Sequence, residues 1–146
     1  MVLRPANVRF YFDEDVLGVA KVVAALRPEI TYPGDPGAVV NKRERPRCLI
    51  TSGVTDPHWI PVVAAQGWLI VTRDSAIQRR RAEIAAVREN DARMVALAGA
   101  DAGGKWEQLE VLMINWRRIQ AWAEEPGPFI YSVTRTGSPR RIPLDQ

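Results

Sequence analysis

The sequence predicts an α/β protein built around a mainly parallel sheet. Segments with strand character alternate with segments of helical periodicity along most of the 146 residues. Two runs, 68–72 and 93–98, are almost continuously apolar and of strand length, which is typical of strands covered on both faces. Such alternation favours parallel strands, because each helix carries the chain back across the sheet.

Length and composition predict one soluble domain over residues 1–135. The apolar fraction of 47% and the charged fraction of 25% are ordinary for a globular protein. No apolar run approaches the roughly 18 residues of a membrane span, and residues 1–7 lack a secretory signal. Cys48 is the only cysteine, which excludes an internal disulfide. We therefore expect a reducing, cytoplasmic location.

The first half of the chain predicts two strands and a helix. Residues 8–12 form an aromatic, β-branched run that suits a strand, and 16–26 follow with helical spacing. A short strand is expected at 30–32. The basic run 41–47 is expected to lie in a long irregular connection, because proline and glycine open it. For 48–51 the sequence leaves open a strand or a segment tucked under the core.

A helix is expected to begin at Asp56 and to reach residue 66. An acid at the cap and proline at the first helical position are a typical start, and Gly67 is a typical end. Pro61 is expected to remove one backbone hydrogen bond inside this helix. The helix leads into the buried strand 68–72.

The remaining elements repeat the pattern. We expect a helix at 75–89, a strand at 93–98, a helix at 105–124, a strand at 129–135 and a flexible tail over 136–146. Tryptophan and aliphatic residues of the helix 105–124, Trp106, Trp116 and Met113 among them, recur at helical spacing, and we interpret them as core residues.

Arginines are grouped along the chain although the net charge is only +3. Such groups suit a phosphate backbone or, equally, solvated surfaces. They are Arg43, Arg45 and Arg47; Arg79, Arg80 and Arg81; Arg117 and Arg118; and Arg135, Arg140 and Arg141.

Acidic residues follow the predicted strands. Asp13, Glu14 and Asp15 end the first strand, and Asp74 comes just after the strand 68–72. In parallel sheets, sites form beyond the carboxyl ends of the strands. Asp56 begins the helix that leads antiparallel into the second of these strands. We therefore expect Asp13, Asp56 and Asp74 to converge at one edge.

Two explanations compete for these acids. Asp56 and Asp74 suit helix capping, which contributes about 1 kcal/mol. Capping does not account for Asp13, because Glu14 and Asp15 crowd it with like charge. A shared Mg²⁺ or Mn²⁺ ion relieves that repulsion, and carboxylates are its preferred ligands.

Three motifs resemble those of the PIN-like domains of VapC-type toxins, from type II toxin–antitoxin systems. They are Phe-Asp-Glu-Asp at 12–15, Thr-Asp-Pro-His-Trp-Ile at 55–60, and Leu-Ile-Val-Thr-Arg-Asp at 69–74. The resemblance implies a three-layer α/β/α sandwich and Mg²⁺- or Mn²⁺-dependent endoribonuclease activity. It also implies an antitoxin as partner and, in common with relatives, a homodimer.

The resemblance assigns metal binding and catalysis to Asp13, Asp56 and Asp74. The chain departs from the family pattern at Ala76, where many relatives carry a further aspartate. The resemblance therefore leaves the fourth ligand to Asp15 or to Glu14.

Other side chains at the predicted site receive lesser roles. Arg73 and the run Arg79, Arg80 and Arg81 are expected to contact RNA. We interpret Thr72 and Ser75 as residues that satisfy a turn rather than orient ligands. His58, the only histidine, is interpreted as a packed or exposed side chain and not as a general base.

Two alternatives remain open at this stage. Asp13 and Asp15 also resemble the start of haloacid-dehalogenase-type phosphatases, with Asp13 as nucleophile, Asp15 as acid/base and residues 49–52 as the second motif. Alternatively, Ala76 marks a PIN-like module without catalysis that binds RNA or protein.

Overall fold

The structure is a computed structural model that describes residues 2–54, 56–73, 80–99 and 103–145. Its elements are β1 (Arg4–Pro5), β2 (Phe10–Phe12), α1 (Leu17–Ala24), β3 (Ile30–Thr31), β4 (Ala38–Val40), β5 (Arg43–Arg45), α2 (Asp56–Gln66), β6 (Leu69–Arg73), α3 (Arg80–Glu89), β7 (Arg93–Leu97), α4 (Lys105–Trp122), β8 (Phe129–Val133) and β9 (Arg140–Arg141). A 3-10 turn, Glu14–Val16, joins β2 to α1. The predicted α/β class is confirmed.

Within the described residues, six strands form the main sheet in the order β3-β2-β6-β7-β8-β9. The pairs from β3 to β8 are parallel, and β9 runs antiparallel to β8. The carboxyl ends of β2, β6, β7 and β8 therefore meet at one edge of the sheet. A smaller sheet, in the order β1-β5-β4, lies apart from it.

Strand β2 supplies both cores of the protein. Successive side chains of a strand point to opposite faces, so Phe10 and Phe12 enter one hydrophobic cluster and Tyr11 enters the other. Residues of α1 and α4 fill the first cluster, and residues of α2 and α3 fill the second. All three aromatic side chains are at most 1% exposed, and each contributes roughly 1.5–3 kcal/mol by burial.

Helix α2 forms over the predicted range despite Pro61. Its apolar residues Trp59, Ile60 and Val63 are buried as predicted, and the ring centroids of Tyr11 and Trp59 lie 5.0 Å apart. Burial of this face outweighs the backbone hydrogen bond that proline cannot donate.

The basic run 41–47 is not irregular, contrary to the prediction. Strands β4 and β5 form an antiparallel hairpin across it. Its two turn residues, Asn41 and Lys42, have φ of 52° and 63°, as a two-residue hairpin turn requires. Asn41 suits that conformation but Lys42 does not, so the sequence lacks the usual Asn-Gly signal.

A buried ion pair holds this hairpin against the main sheet. Nε of Arg45 lies 2.6 Å from Oδ2 of Asp35, with side chains 3% and 0% exposed. Thr31 donates to the same carboxylate oxygen at 2.9 Å, and Arg45 also donates to the carbonyl of Ala24 at 3.0 Å. These hydrogen bonds offset the free energy that burial of the two charged groups costs.

Part of the segment 136–146, which was predicted as a flexible tail, packs against the domain. Arg140 and Arg141 pair with β8, and Ile142 is only 4% exposed in the second core cluster. The carbonyl of Leu144 accepts a hydrogen bond of 2.7 Å from Arg88. One buried isoleucine and two paired residues therefore hold this segment to the domain.

The interpretation of the α4 residues as core holds only in part. Trp116 is buried against Phe10, with ring centroids 4.8 Å apart. Trp106 and Met113 are instead 69% and 58% exposed.

Residues 48–51 form no strand in the described structure; Cys48 and Ile50 are buried in the second cluster. Over the described residues, no helix is long and apolar enough to cross a membrane.

Candidate active site

Asp13 lies directly after β2, at the carboxyl edge of the main sheet. Its backbone N–H donates to the carbonyl of Val71 at 2.9 Å, which fixes it beside β6. Its Oδ1 accepts a hydrogen bond of 2.7 Å from the N–H of Glu14 and so caps the 3-10 turn. The expectation that capping has no part in the role of Asp13 is therefore wrong for one of its two carboxylate oxygens.

Asp15 turns back toward the end of β6. Its Oδ2 accepts hydrogen bonds from Oγ1 of Thr72 at 2.8 Å and from the N–H of Arg73 at 3.2 Å. The same Oγ1 lies 3.4 Å from Oδ2 of Asp13. Two carboxylates therefore meet around one hydroxyl, which carries a single proton and can donate strongly to only one of them.

Thr72 is more than the turn residue that the sequence suggested. Thr72 is a strand residue that is 3% exposed, and its side chain contacts both acids. The alternation of side chains along β6 turns Val71 into the first core cluster and Thr72 to the other side. The sequence did contain a signal for this role, because a threonine ends an otherwise apolar strand. A hydroxyl buried there requires a hydrogen-bond partner.

Glu14 makes a different contact from that of Asp15. It is exposed, and its Oε1 accepts a hydrogen bond from the N–H of Gly53. Gly53 has φ of +88°, a conformation that favours glycine, and it lies three residues before the start of α2. Glu14 thus anchors the loop that leads into α2, and Asp56 is the first residue of that helix.

The remaining predicted acids lie at the limits of the described structure. Nothing is described of the Asp56 side chain. Asp74 follows Arg73 directly in sequence but lies outside the described residues, as do Ser75, Ala76 and Arg79. Convergence of three aspartates thus stays a prediction, while the meeting of Asp13 with Asp15 is observed.

Of the predicted basic residues, the described Arg73, Arg80 and Arg81 belong to elements that meet this edge, as does the histidine. Arg73 is half-buried at the end of β6. Arg80 begins α3, and the Arg81 side chain is exposed in its first turn. His58 is exposed near the start of α2, as predicted.

The acids suit a hard cation by the chemistry of their donors. The described residues contain no group of three or more histidine, cysteine, aspartate or glutamate side chains arranged to hold a metal. Asp13 and Asp15 supply carboxylate oxygens, which Mg²⁺ and Mn²⁺ prefer. Their shared contact with Thr72 brings like charges together, a situation that a cation relieves.

Comparison with known protein families decides the fold family. The profile of a family described as "PIN like domain" matches residues 8–99, which is more than half of the chain. The chain is a PIN-like domain protein. The match includes Asp13, Asp15, Asp56 and Asp74. Comparisons with curated proteins and with solved structures give no significant match.

The PIN-like fold is a nuclease-type fold, which disfavours the phosphatase alternative. That alternative takes residues 49–52 as its second motif. In the structure β2 lies between β3 and β6, and residues 49–52 belong to no strand.

Proposed function

We propose that this PIN-like protein is a metal-dependent endoribonuclease, the VapC-type toxin of a type II toxin–antitoxin system. The single observation that carries the proposal is the meeting of Asp13 and Asp15 around Thr72, two residues before Asp74. We interpret the helices on both faces of the parallel strands as the three-layer α/β/α sandwich of such nucleases.

Asp13, Asp15, Asp56 and Asp74 would hold Mg²⁺ or Mn²⁺. A bound ion of this type supplies an activated water and stabilises charge on a phosphoryl oxygen. Thr72 and the N–H of Arg73 orient the Asp15 carboxylate for this role, because each donates a hydrogen bond to it. These two hydrogen bonds hold the Asp15 carboxylate at the end of β6. Asp74 is the next residue in sequence after β6.

Asp15 is the ligand that we assign in place of the aspartate absent at Ala76. Asp15 contacts Thr72 on β6, whereas Glu14 is exposed and bonded to the backbone of Gly53. The two candidate ligands that the sequence left open thus point in different directions. This difference favours Asp15 as the metal ligand and Glu14 as the residue that anchors the loop before α2.

Arginine side chains at the same edge would contact the RNA phosphates. Arg73 ends β6 and Arg81 lies in the first turn of α3, and a guanidinium suits phosphate because its donors form a planar fork. Arg79 and Arg80 extend this basic run in sequence.

Cleavage of total RNA by the purified protein tests the proposed activity. We expect products with Mn²⁺ or Mg²⁺ and none with EDTA. Asp13→Asn should abolish cleavage, since it removes one anionic ligand and keeps the hydrogen-bonding shape. Glu89→Gln, at the exposed end of α3, is the matched control and should cleave normally. Metal-independent cleavage, or full activity in Asp13→Asn, would overturn the proposal.

Expression in a bacterial host tests the toxin assignment. We expect expression to arrest growth, Asp13→Asn to abolish the arrest, and a small protein encoded next to this gene to relieve it as antitoxin. The proposed setting is the cytoplasm, and gel filtration tests the proposed homodimer. Normal growth under expression of an active nuclease would contradict the toxin assignment alone.

A second candidate is a PIN-like module that binds RNA or protein without cleaving it. The substitution at Ala76 favours it, because one acid of the family pattern is missing. RNA binding without any metal-dependent cleavage would establish this candidate in place of the nuclease.

A further inference from the structure

Two adjoining cavities lie at the amino-terminal ends of β2, β3 and β6, the opposite end of the sheet from the candidate active site. Their volumes are about 330 Å³ and about 340 Å³, and both are lined by Asn7 and Arg9. Each is within the size range of small-ligand sites, roughly 300–1,000 Å³. Together they form a trough, the amino-end groove, which has no part in the proposed cleavage.

The first cavity of the amino-end groove carries a net positive charge. Among its described lining residues are Arg9, Arg27 and Arg43, against one acid, Glu29. Arg27 donates to Glu29 at 2.7 Å, and Arg9 pairs with Glu124, which lines the second cavity. Arg43 is exposed, and within the described structure its side chain has no acceptor at hydrogen-bonding distance.

The small sheet adds a second cation beside Arg43. Arg4 of β1 is in register with Arg43 of β5, and both are exposed. Like charges on adjacent positions of neighbouring strands are destabilising. Arg4 lines neither cavity, but its charge raises the positive potential beside Arg43.

The side chains of the groove suit the backbone of a nucleic acid. Arginine forks bind phosphate bidentately, and Asn7 and Gln120 add amide groups that can bond sugars and bases. Of the hairpin β4–β5, Arg43 lines this groove.

We propose that the amino-end groove is a second RNA-binding site, which holds single-stranded RNA by its phosphates at a distance from the carboxylates. This inference rests on the proposed ribonuclease function for its choice of ligand. Arg9 and Asp13 are four residues apart along one extended segment, about 13 Å. A strand bound in the groove can therefore reach the carboxylate edge around the side of one domain.

Arg43→Glu tests the groove, with Lys21→Glu as the matched control. Both reverse one exposed cation, and Lys21 lines neither cavity. The probe is a short fluorescent single-stranded RNA, followed by anisotropy in EDTA so that no cleavage occurs. We expect Arg43→Glu to weaken binding roughly tenfold at low salt and to reduce the salt slope by about 1. Lys21→Glu should weaken binding less than about twofold, and Arg43→Lys should retain most of it.

The variant is expected to fold, because Glu at position 43 faces Arg4 and replaces repulsion by attraction. Its melting temperature should equal or exceed that of the wild type. Equal losses in Arg43→Glu and Lys21→Glu, or no loss in either, would overturn the proposal. Loss of binding to phosphatidylserine vesicles with RNA binding unchanged would overturn it in favour of a membrane surface.

The outcome is separable from that of the proposed nuclease. Binding is measured without metal, so a protein that never cleaves RNA can still show loss of affinity in Arg43→Glu. Conversely, a nuclease inactivated by Asp13→Asn should bind the probe through the groove as the wild type does.

Discussion

Replacing Thr72 by valine tests the hydroxyl around which Asp13 and Asp15 meet. The substitution keeps the branched shape of a residue that is 3% exposed and removes only Oγ1. It deletes the hydrogen bond of 2.8 Å to Asp15 and the longer contact of 3.4 Å with Asp13. We expect the folded protein to be less stable and the Asp15 carboxylate to lose its fixed direction.

The magnitude follows from the type of bond. A hydrogen bond to a charged group contributes about 1.5–3 kcal/mol, and Asp15 keeps the N–H of Arg73 as a second donor. Since Asp15 is only half-buried, solvent replaces part of the loss, and we expect the free energy of unfolding to fall by about 1–2 kcal/mol. For a chain of this length the melting temperature should fall by about 3–6 °C.

A double-mutant cycle, with each variant unfolded in urea, measures the energy of the hydrogen bond between Thr72 and Asp15. The cycle combines Thr72→Val with Asp15→Ala, which leaves no acceptor for the hydroxyl, and we expect a coupling energy of about 1 kcal/mol. Thr51→Val, on the exposed loop before α2, is the control and should change the free energy of unfolding by less than about 0.5 kcal/mol. Additive effects of the two substitutions would refute the interaction between Thr72 and Asp15.

Three further predictions concern the packing of the domain. Arg45→Ala should lower the free energy of unfolding by about 3–5 kcal/mol in urea, because it leaves Asp35 buried without its cation; an unchanged midpoint would contradict the ion pair. Ile142→Ala should cost about 2–4 kcal/mol, measured in the same way, because the side chain is 4% exposed; a flexible tail would give no change. Burial raises the pKa of the Cys48 thiol above its usual value of 9.0, so the folded state favours the protonated form and stability falls as pH rises above about 9. The native thiol should therefore react with a disulfide reagent far more slowly than the unfolded one, and equal rates would contradict its burial.

The order of elements around the site could be predicted because local signals agree with the tertiary structure. Strands 68–72 and 93–98 are apolar throughout and appear as β6 and β7 within one residue. Helix α2 runs from Asp56 to Gln66, directly before Gly67, over the range that the capping preferences predict. The position of Asp13 after β2 follows from the same alternation of strands and helices.

The buried ion pair, the hairpin and the tail could not be predicted, because long-range contacts decide them. Arg45 reads as one arginine of a basic run, and only Asp35, ten residues earlier, turns it inward. The strand β9 forms against β8, which offers a partner that the tail sequence does not reveal. The charge of the run thus did not show that Arg45 is buried and Arg43 exposed.

The site itself was predicted in its residue types but not in its contacts. Asp13, Glu14 and Asp15 were expected as one acidic group. The short 3-10 turn separates them, with Asp15 toward Thr72 and Glu14 toward Gly53. Sequence spacing does not fix the direction of side chains in such a turn, so the different partners of Glu14 and Asp15 could not be predicted from the sequence.

Manganese affinity of Asp15→Asn tests the proposed site most directly. Titration calorimetry should compare it with the wild type, with Glu14→Gln and with Glu89→Gln. If Asp15 completes the site in the absence of an acid at position 76, Asp15→Asn weakens Mn²⁺ binding at least tenfold, while Glu89→Gln binds as the wild type does. Glu14→Gln should weaken it far less than Asp15→Asn. Unchanged affinity in Asp15→Asn, or a larger loss in Glu14→Gln, would contradict the proposed metal site.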